Sequence, residues 1–338
     1  MIDLHAHVVL ENCLGACGAH GPELHEGNPE CGDLPYFRVG DYVLHGVKYR
    51  GSAFMDLDLR LAALDELGIE LQVLSPNPLT YFSGVDTESA ARFAQTHNDA
   101  LAALVAQAPA RLAGLAQLPT QDPALAASEL RRAVKELGFL GAYIGTDLGR
   151  PLDDPEFDQL YAACVELNVP LFIHPAPDGI SAPRRDERLA RFDGDLWLGF
   201  CYEETLAVST LILGGVLDRH SELDICISHG GGAISWLAER LEHAARTRSW
   251  SPEQLREPGA VAERLQRLWF DGHVGGPKAL AALLAAFGSE RVVAGTNLAG
   301  WDQTDDPAFG DSELSQRFDQ NARRLLRLEN DLETGEQC

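Results

Sequence analysis

The sequence predicts an α/β protein, a (β/α)8 TIM-type barrel forming one domain over residues 1–338. Three observations predict it. Short apolar segments recur eight times along the chain. Helix-patterned stretches alternate with them, most opened by Asp or Pro and several closed by Gly. The first apolar segment runs on into "VVLEN", which lacks the Gly-rich turn that a doubly wound sheet places after its first strand. A strand followed by a helix, repeated around the chain, closes into a barrel more readily than into an open sheet.

Strand one is "MIDLHAH" at residues 1–7. The helix pattern "DLRLAALDELG" then leads to strand two, "ELQVLSP" from Glu70. Strands three and four, "LAGLAQLP" from Leu112 and "FLGAYIG" from Phe139, flank "DPALAASELRRAVKELG", a helix opened by Asp-Pro and closed by Gly138. "DPEFDQLYAACVELN" precedes strand five, "PLFIHPA" from Pro170. Strands six and seven are "LDICISHGG" from Leu223 and "LWFDGHV" from Leu268, and "GPKALAALLAAFG" brings in strand eight, "VVAGTN" from Val292. Two gaps exceed an ordinary connection, residues 8–56 after strand one and 177–203 after strand five. Both follow the C-terminal ends of strands, where barrel enzymes build their pockets, so both are expected to cover an active site without a core of their own.

Charge narrows the partners. The chain carries 27 Lys+Arg against 51 Asp+Glu, a formal net charge of -24. Such a field repels phosphate backbones and anionic headgroups, which argues against nucleic acid and membrane surfaces and leaves small molecules. No apolar run approaches the ~20 residues of a membrane span, and the N-terminus has no basic start or cleavage site, so a cytoplasmic protein is expected. Seven cysteines scattered over the chain do not form a disulfide framework. Cys13, Cys17 and Cys31 lie near His20 and His25, but their loose spacing favours an ordered loop over a zinc knuckle.

The strand ends carry the chemistry. His5 and His7 stand two residues apart, so a strand turns both rings to one side. His174 ends strand five, His229 ends strand six in "SHGGG", and Asn297 ends strand eight. Histidines at the ends of strands one, five and six converge on a barrel mouth, where three neutral imidazoles can hold a divalent ion and leave a position open. His273 follows Asp271 by two and faces the same side, within reach of the pocket. His20, His25 and His45 read as solvated loop residues, and His97 as a helix residue buried against the barrel.

"HAH", "FIHP", "SHGGG" and "GTN", in this order and spacing, resemble the amidohydrolase superfamily. The likeness is to the branch containing aminocarboxymuconate semialdehyde decarboxylase and related aromatic acid decarboxylases. It implies that His5, His7 and His174 bind one divalent metal, Zn2+ ahead of Mn2+, and that His229 is a general acid or base. It further implies a homodimer that decarboxylates an aromatic or conjugated carboxylic acid, with Arg50 gripping the carboxylate and Trp197 and Tyr202 walling the substrate. A metal-dependent hydrolase or hydratase of a ring-cleavage product is the alternative, and a non-catalytic binding barrel the second. Retention of four histidines argues against the last.

Strand eight departs from the branch, whose members mostly carry an acid where this chain has Asn297. An amide offers its oxygen to a cation but carries no proton. Asp302, in "GWDQTDD", or His229 is then expected to handle protons.

Overall fold

The structure, a computed structural model, describes residues 1–28, 32–178, 180, 186–303 and 312–328. Eight parallel segments build the sheet: β1 (Ile2–Val8), β2 (Leu71–Pro76), β3 (Leu112–Gly114, resumed at Ala116–Gln117), β4 (Ala142–Gly145), β5 (Leu171–His174), β6 (Ile225–Ile227), β7 (Trp269–Asp271) and β8 (Val292–Val293). Neighbours pair in sequence order. Leu115 N–H donates to Leu74 O and Ala116 N–H to Gly141 O, which carries β3 across its interruption. Leu4 N–H donates to Ala294 O at 3.0 Å and Asn297 N–H to His5 O at 2.7 Å, joining the last strand to the first. The ring is closed, as in a TIM barrel.

The helices that follow are α1 (Leu57–Leu67), α2 (Thr87–Val105), α3 (Pro123–Leu137), α4 (Asp158–Leu167), α5 (Gly199–Leu213), α6 (Ile234–Thr247), α7 (Pro277–Phe287) and α8 (Ser312–Leu325). Several starts are set locally. Asp56, Asp86 and Asp122 each accept a backbone N–H of the first turn through the side chain. Gly68 and Gly138 close α1 and α3 in the left-handed conformation.

Strand alternation sets the height of the polar site. Tyr143, Phe172, Cys226 and Trp269 lie in register on β4 to β7 and pack in one buried cluster. His174 and Asp271 stand two residues beyond Phe172 and Trp269, so they share that face one layer nearer the C-terminal ends. The apolar layer is therefore the floor beneath the site.

The stretch after β1 has more order than its sequence suggests. Residues 23–25, 36–39 and 42–45 pair as a three-stranded antiparallel sheet. Phe37, fully buried, meets Tyr49, and Tyr49 stacks on Phe54 with ring centroids 4.4 Å apart. The buried Arg60 guanidinium of α1 ties this cover to the barrel, donating to Gln72 Oε1 at 2.6 Å, to His7 O at 3.0 Å and to Phe54 O at 3.3 Å. Residues 194–213 also depart from expectation. They reach the length of a membrane span, 20 residues, with an 18-residue window inside them at mean hydropathy 1.3. In the fold they form a short helix, Gly194–Trp197, and α5, whose Ala207, Val208, Leu211 and Ile212 are buried in the core.

His97 on α2 is buried, and burial holds its pKa down to about 4 from 6.5, partly offset by Asn98. A neutral ring in the fold means that the unfolded chain binds the extra proton between those two values. Its contribution is therefore intact above the unfolded pKa and is lost as pH falls toward the folded one, by about 3 kcal/mol in total. His97→Leu is expected to flatten that part of the pH dependence in urea unfolding measured above and below this window. Parallel losses in both proteins would show that the ring is charged in the fold.

Candidate active site

Four imidazoles are fixed by what their Nδ1 atoms meet. His5 Nδ1 lies 2.7 Å from Asp271 Oδ2, His7 Nδ1 3.1 Å from Pro76 O, His174 Nδ1 2.6 Å from Pro175 O and His229 Nδ1 2.6 Å from Glu204 Oε1. Carbonyls and carboxylates can only accept, so each Nδ1 carries the proton. A neutral ring then offers its lone pair at Nε2. Burial, with neighbouring imidazoles adding to it, lowers the pKa of His5 and His174 well below 6.5, and burial likewise takes His7 to about 3, so these three are neutral. The rings crowd together, with centroids of His7, His174, His229 and His273 at 5.1, 5.1, 4.9 and 4.8 Å from that of His5. Ligand atoms of His5, His174 and His229 lie within 4.8 Å of one another.

Two further atoms complete the donor set. His5 Nε2 and Asn297 Oδ1 are buried and have no hydrogen-bond partner among the described residues. Both bear lone pairs, so neither can satisfy the other. Buried acceptors in this state suit a cation, and the carboxylates of Asp271, Glu204 and Asp302 around them offset its charge.

His229 sits where β6 turns into α6. It adopts φ 44°, and Gly230, Gly231 and Gly232 follow at 63°, 74° and 66°. A Cβ on Gly232 would lie 2.2 Å from Cys201 O, and one on Gly231 2.7 Å from Phe270 Cε1, so the three glycines are what lets this turn pack. Burial opposes a charge on His229, but the Glu204 carboxylate outweighs it by charge and hydrogen bond, lifting the pKa to about 9. Ser228 Oγ donates to the same Glu204 oxygen. Sequence reasoning missed Glu204. The signal was helical phase, since Leu196, Phe200 and Glu204 recur at four-residue steps on the inward face.

The cavity above these groups has a volume of about 330 Å³. Its floor holds His7, His174, His229, Asn297 and Asp302, and its walls include Tyr42, Leu44, Tyr49, Phe54, Leu79, Leu196, Phe200 and Trp301. Several residues expected at the substrate lie elsewhere. Arg50 is turned outward, where Glu11 takes its Nε at 3.0 Å and Glu26 its Nη1 at 2.9 Å. Tyr49 packs inward and is buried, so the residue before it, Lys48, lines the cavity in place of Arg50. Trp197 and Tyr202 are 58% and 60% exposed, on the outer side with Leu198 and Leu206, because the inward phase belongs to Leu196 and Phe200. His273 is buried behind Asp302, its Nε2 3.2 Å from Asp302 Oδ2, and is not among the lining residues. Burial would raise the Asp302 pKa, but His273, by hydrogen bond and charge, and His229 outweigh it and lower it. His25 pairs with Asp33 and stacks on Tyr36, away from the cavity. Cys13 and Cys17 are buried free thiols, while Cys31 lies outside the described residues.

Comparison with known proteins agrees with this geometry. A family model described as Amidohydrolase matches residues 2–328. A 2-amino-3-carboxymuconate-6-semialdehyde decarboxylase from Dictyostelium discoideum is 31% identical over 245 residues, 72% of this chain. The match spans 66% of that relative's own length, just under two thirds. Among solved structures, a 2,6-dihydroxybenzoate decarboxylase complexed with 2,6-dihydroxybenzoate superposes with a TM-score of 0.69 at 26% identity, covering 81% of this chain and 89% of that one. A dihydroxybenzoic acid decarboxylase from Polaromonas sp. JS666, with bound manganese and 2-nitroresorcinol, gives 0.73 at 25% identity, covering 97% and 96%.

Proposed function

The chain belongs to the amidohydrolase family, and from that premise we propose that it is a metal-dependent decarboxylase of an aromatic or conjugated unsaturated carboxylic acid. The observation that carries this reading is the set of Nε2 lone pairs of His5, His7 and His174, each fixed by an acceptor on Nδ1 and crowded beside His229 at the base of an apolar-walled cavity. Crowded lone pairs repel one another unless a cation lies among them. His5, His7, His174 and the Asn297 oxygen would hold it. Bound there, a divalent ion supplies Lewis-acid charge that anchors substrate oxygens and draws electrons from the ring. Imidazole donors suit Zn2+, with Mn2+, the ion of the Polaromonas structure, as its competitor.

The chain's own residues do the rest. Tyr49, Phe54 and Phe200 offer flat apolar surfaces that hold a ring and keep water out. Lys48, the one Lys or Arg among the described lining residues, draws the anionic substrate through an acidic surface. As the bond between ring carbon and carboxyl carbon breaks, its electron pair stays on the ring carbon and CO2 departs. The ring carbon then needs a proton, which His229 delivers from Nε2 while Glu204 stabilises the imidazolium.

The test is direct. Metal-loaded protein is incubated in D2O with 2,6-dihydroxybenzoate, 5-carboxyvanillate and 2-amino-3-carboxymuconate-6-semialdehyde. The expected outcome is CO2 release with one deuterium at the vacated carbon of the substrate that turns over. A hydrated or cleaved product with its carboxylate intact would replace this reading by the hydratase or hydrolase alternative.

A further inference from the structure

The turn that follows β8 is built around one amide. Asn297 is 6% exposed and left-handed, with φ 47°. Its backbone is gripped on both sides, N–H donating to His5 O at 2.7 Å and C=O accepting from Gly300 N–H at 2.7 Å. Its side chain lies over Gly300, where a Cβ would come within 2.5 Å of Cγ, Oδ1 and Nδ2 alike. Any other residue at 300 would displace the amide.

An amide can be turned end for end, and its neighbours decide which end faces inward. Here Nδ2 donates to Asp302 Oδ1 at 2.5 Å, a contact that a carboxylate can make with the nitrogen and not with the oxygen. Asp302 is itself held by His273 Nε2 at 3.2 Å. Among the described residues Oδ1 is left buried and without a partner, beside a histidine cluster that also leaves His5 Nε2 without one. Two unpartnered acceptors gain nothing from each other. One cation satisfies both.

We propose that Asp302 is a positioning residue that clamps the Asn297 amide so that it presents its oxygen, as a neutral ligand, to the cation. The proposal rests on the metal-dependent reading above. Asp302 keeps its negative charge one bond removed from the ion, and the Asn297 side chain, not the carboxylate, makes the contact. An aspartate at 297 would set two carboxylates against each other, so the pair accommodates one acid and one amide.

The experiment measures dissociation constants for Mn2+ and for Zn2+ on the metal-stripped full chain, by competition with a chromogenic chelator. Asp302→Ala is expected to weaken binding by ~10–100-fold, the usual effect of removing a residue that orients a ligand, and Asn297→Ala, which removes the ligand itself, by at least as much. The double variant is expected to be no weaker than Asn297→Ala, because Asp302 acts through the amide. The exchange Asn297→Asp with Asp302→Asn keeps one acid and one amide with the hydrogen bond reversed, and is expected to return the affinity to near that of the parent. A carboxylate that merely held the loop would not be rescued in this way. Where Asp302→Ala does not fold, Asp302→Leu, of similar volume and unable to accept, takes its place in the cycle. Additive losses, or parent-like affinity in the residue 302 variant, would overturn the proposal. A parent chain that binds neither ion is a distinct result, overturning the metal-dependent reading beneath it.

Discussion

His5→Ala is expected to leave the chain unable to hold a divalent ion and to erase any metal-dependent gain in its stability. His5 is fully buried at the centre of the cluster, with four other imidazole rings about 5 Å away. Its Nδ1 is spent on Asp271, so Nε2 is the one atom it can offer, and that atom has no partner among the described residues. Removing it takes away one of three imidazoles, the smallest set typical of a catalytic zinc site. In the parent, ion at ~100 times its dissociation constant should raise the unfolding free energy by about 2.7 kcal/mol. The variant should unfold at the same denaturant concentration with and without ion, and contain no stoichiometric metal by elemental analysis. Retention of one ion per chain would remove His5 from the ligand set.

His229→Gln should do the opposite, keeping the ion and losing the reaction. The ring stands on a left-handed residue before three glycines, and its Nδ1 is committed to Glu204. Glutamine leaves that buried carboxylate a hydrogen-bond donor, so the change tests chemistry more than folding. General acid–base catalysis contributes ~10²–10⁴-fold, and turnover should fall by that range with metal content unchanged. Undiminished turnover with the ion in place would make His229 a structural residue and remove it as the proton donor.

How much of this could be read from the chain alone follows from how local each signal is. Each of the eight expected segments overlaps an observed strand; strand one is displaced by one residue, to Ile2–Val8, and the other seven are shorter than expected. "VVAGTN" from Val292 pairs as a strand over Val292–Val293, and the residues after it turn to build the Asn297 loop. The Lys48 and Arg50 choice could not be made from type and spacing. Both are cations two residues apart, and what separates them is that Glu11 and Glu26 come together around Arg50. Glu204 was legible in principle, through its phase with Leu196 and Phe200, whereas Trp197 and Tyr202 misled because large aromatics mark packing and recognition alike.

By itself the sequence determined the barrel, its order of strands and helices, and the four histidines at strand ends, because alternation, helix periodicity, Asp caps and Gly stops act within a few residues. Only the tertiary structure decided which nitrogen of each histidine faces inward, which cation reaches the cavity, and what becomes of the carboxylate at 302. Those outcomes rest on contacts such as His5 with Asp271, 266 residues apart, and Asn297 with His5 across the closing seam of the barrel. A hydrogen bond between residues so far apart in sequence exists only once the ring has closed, and no local pattern announces it.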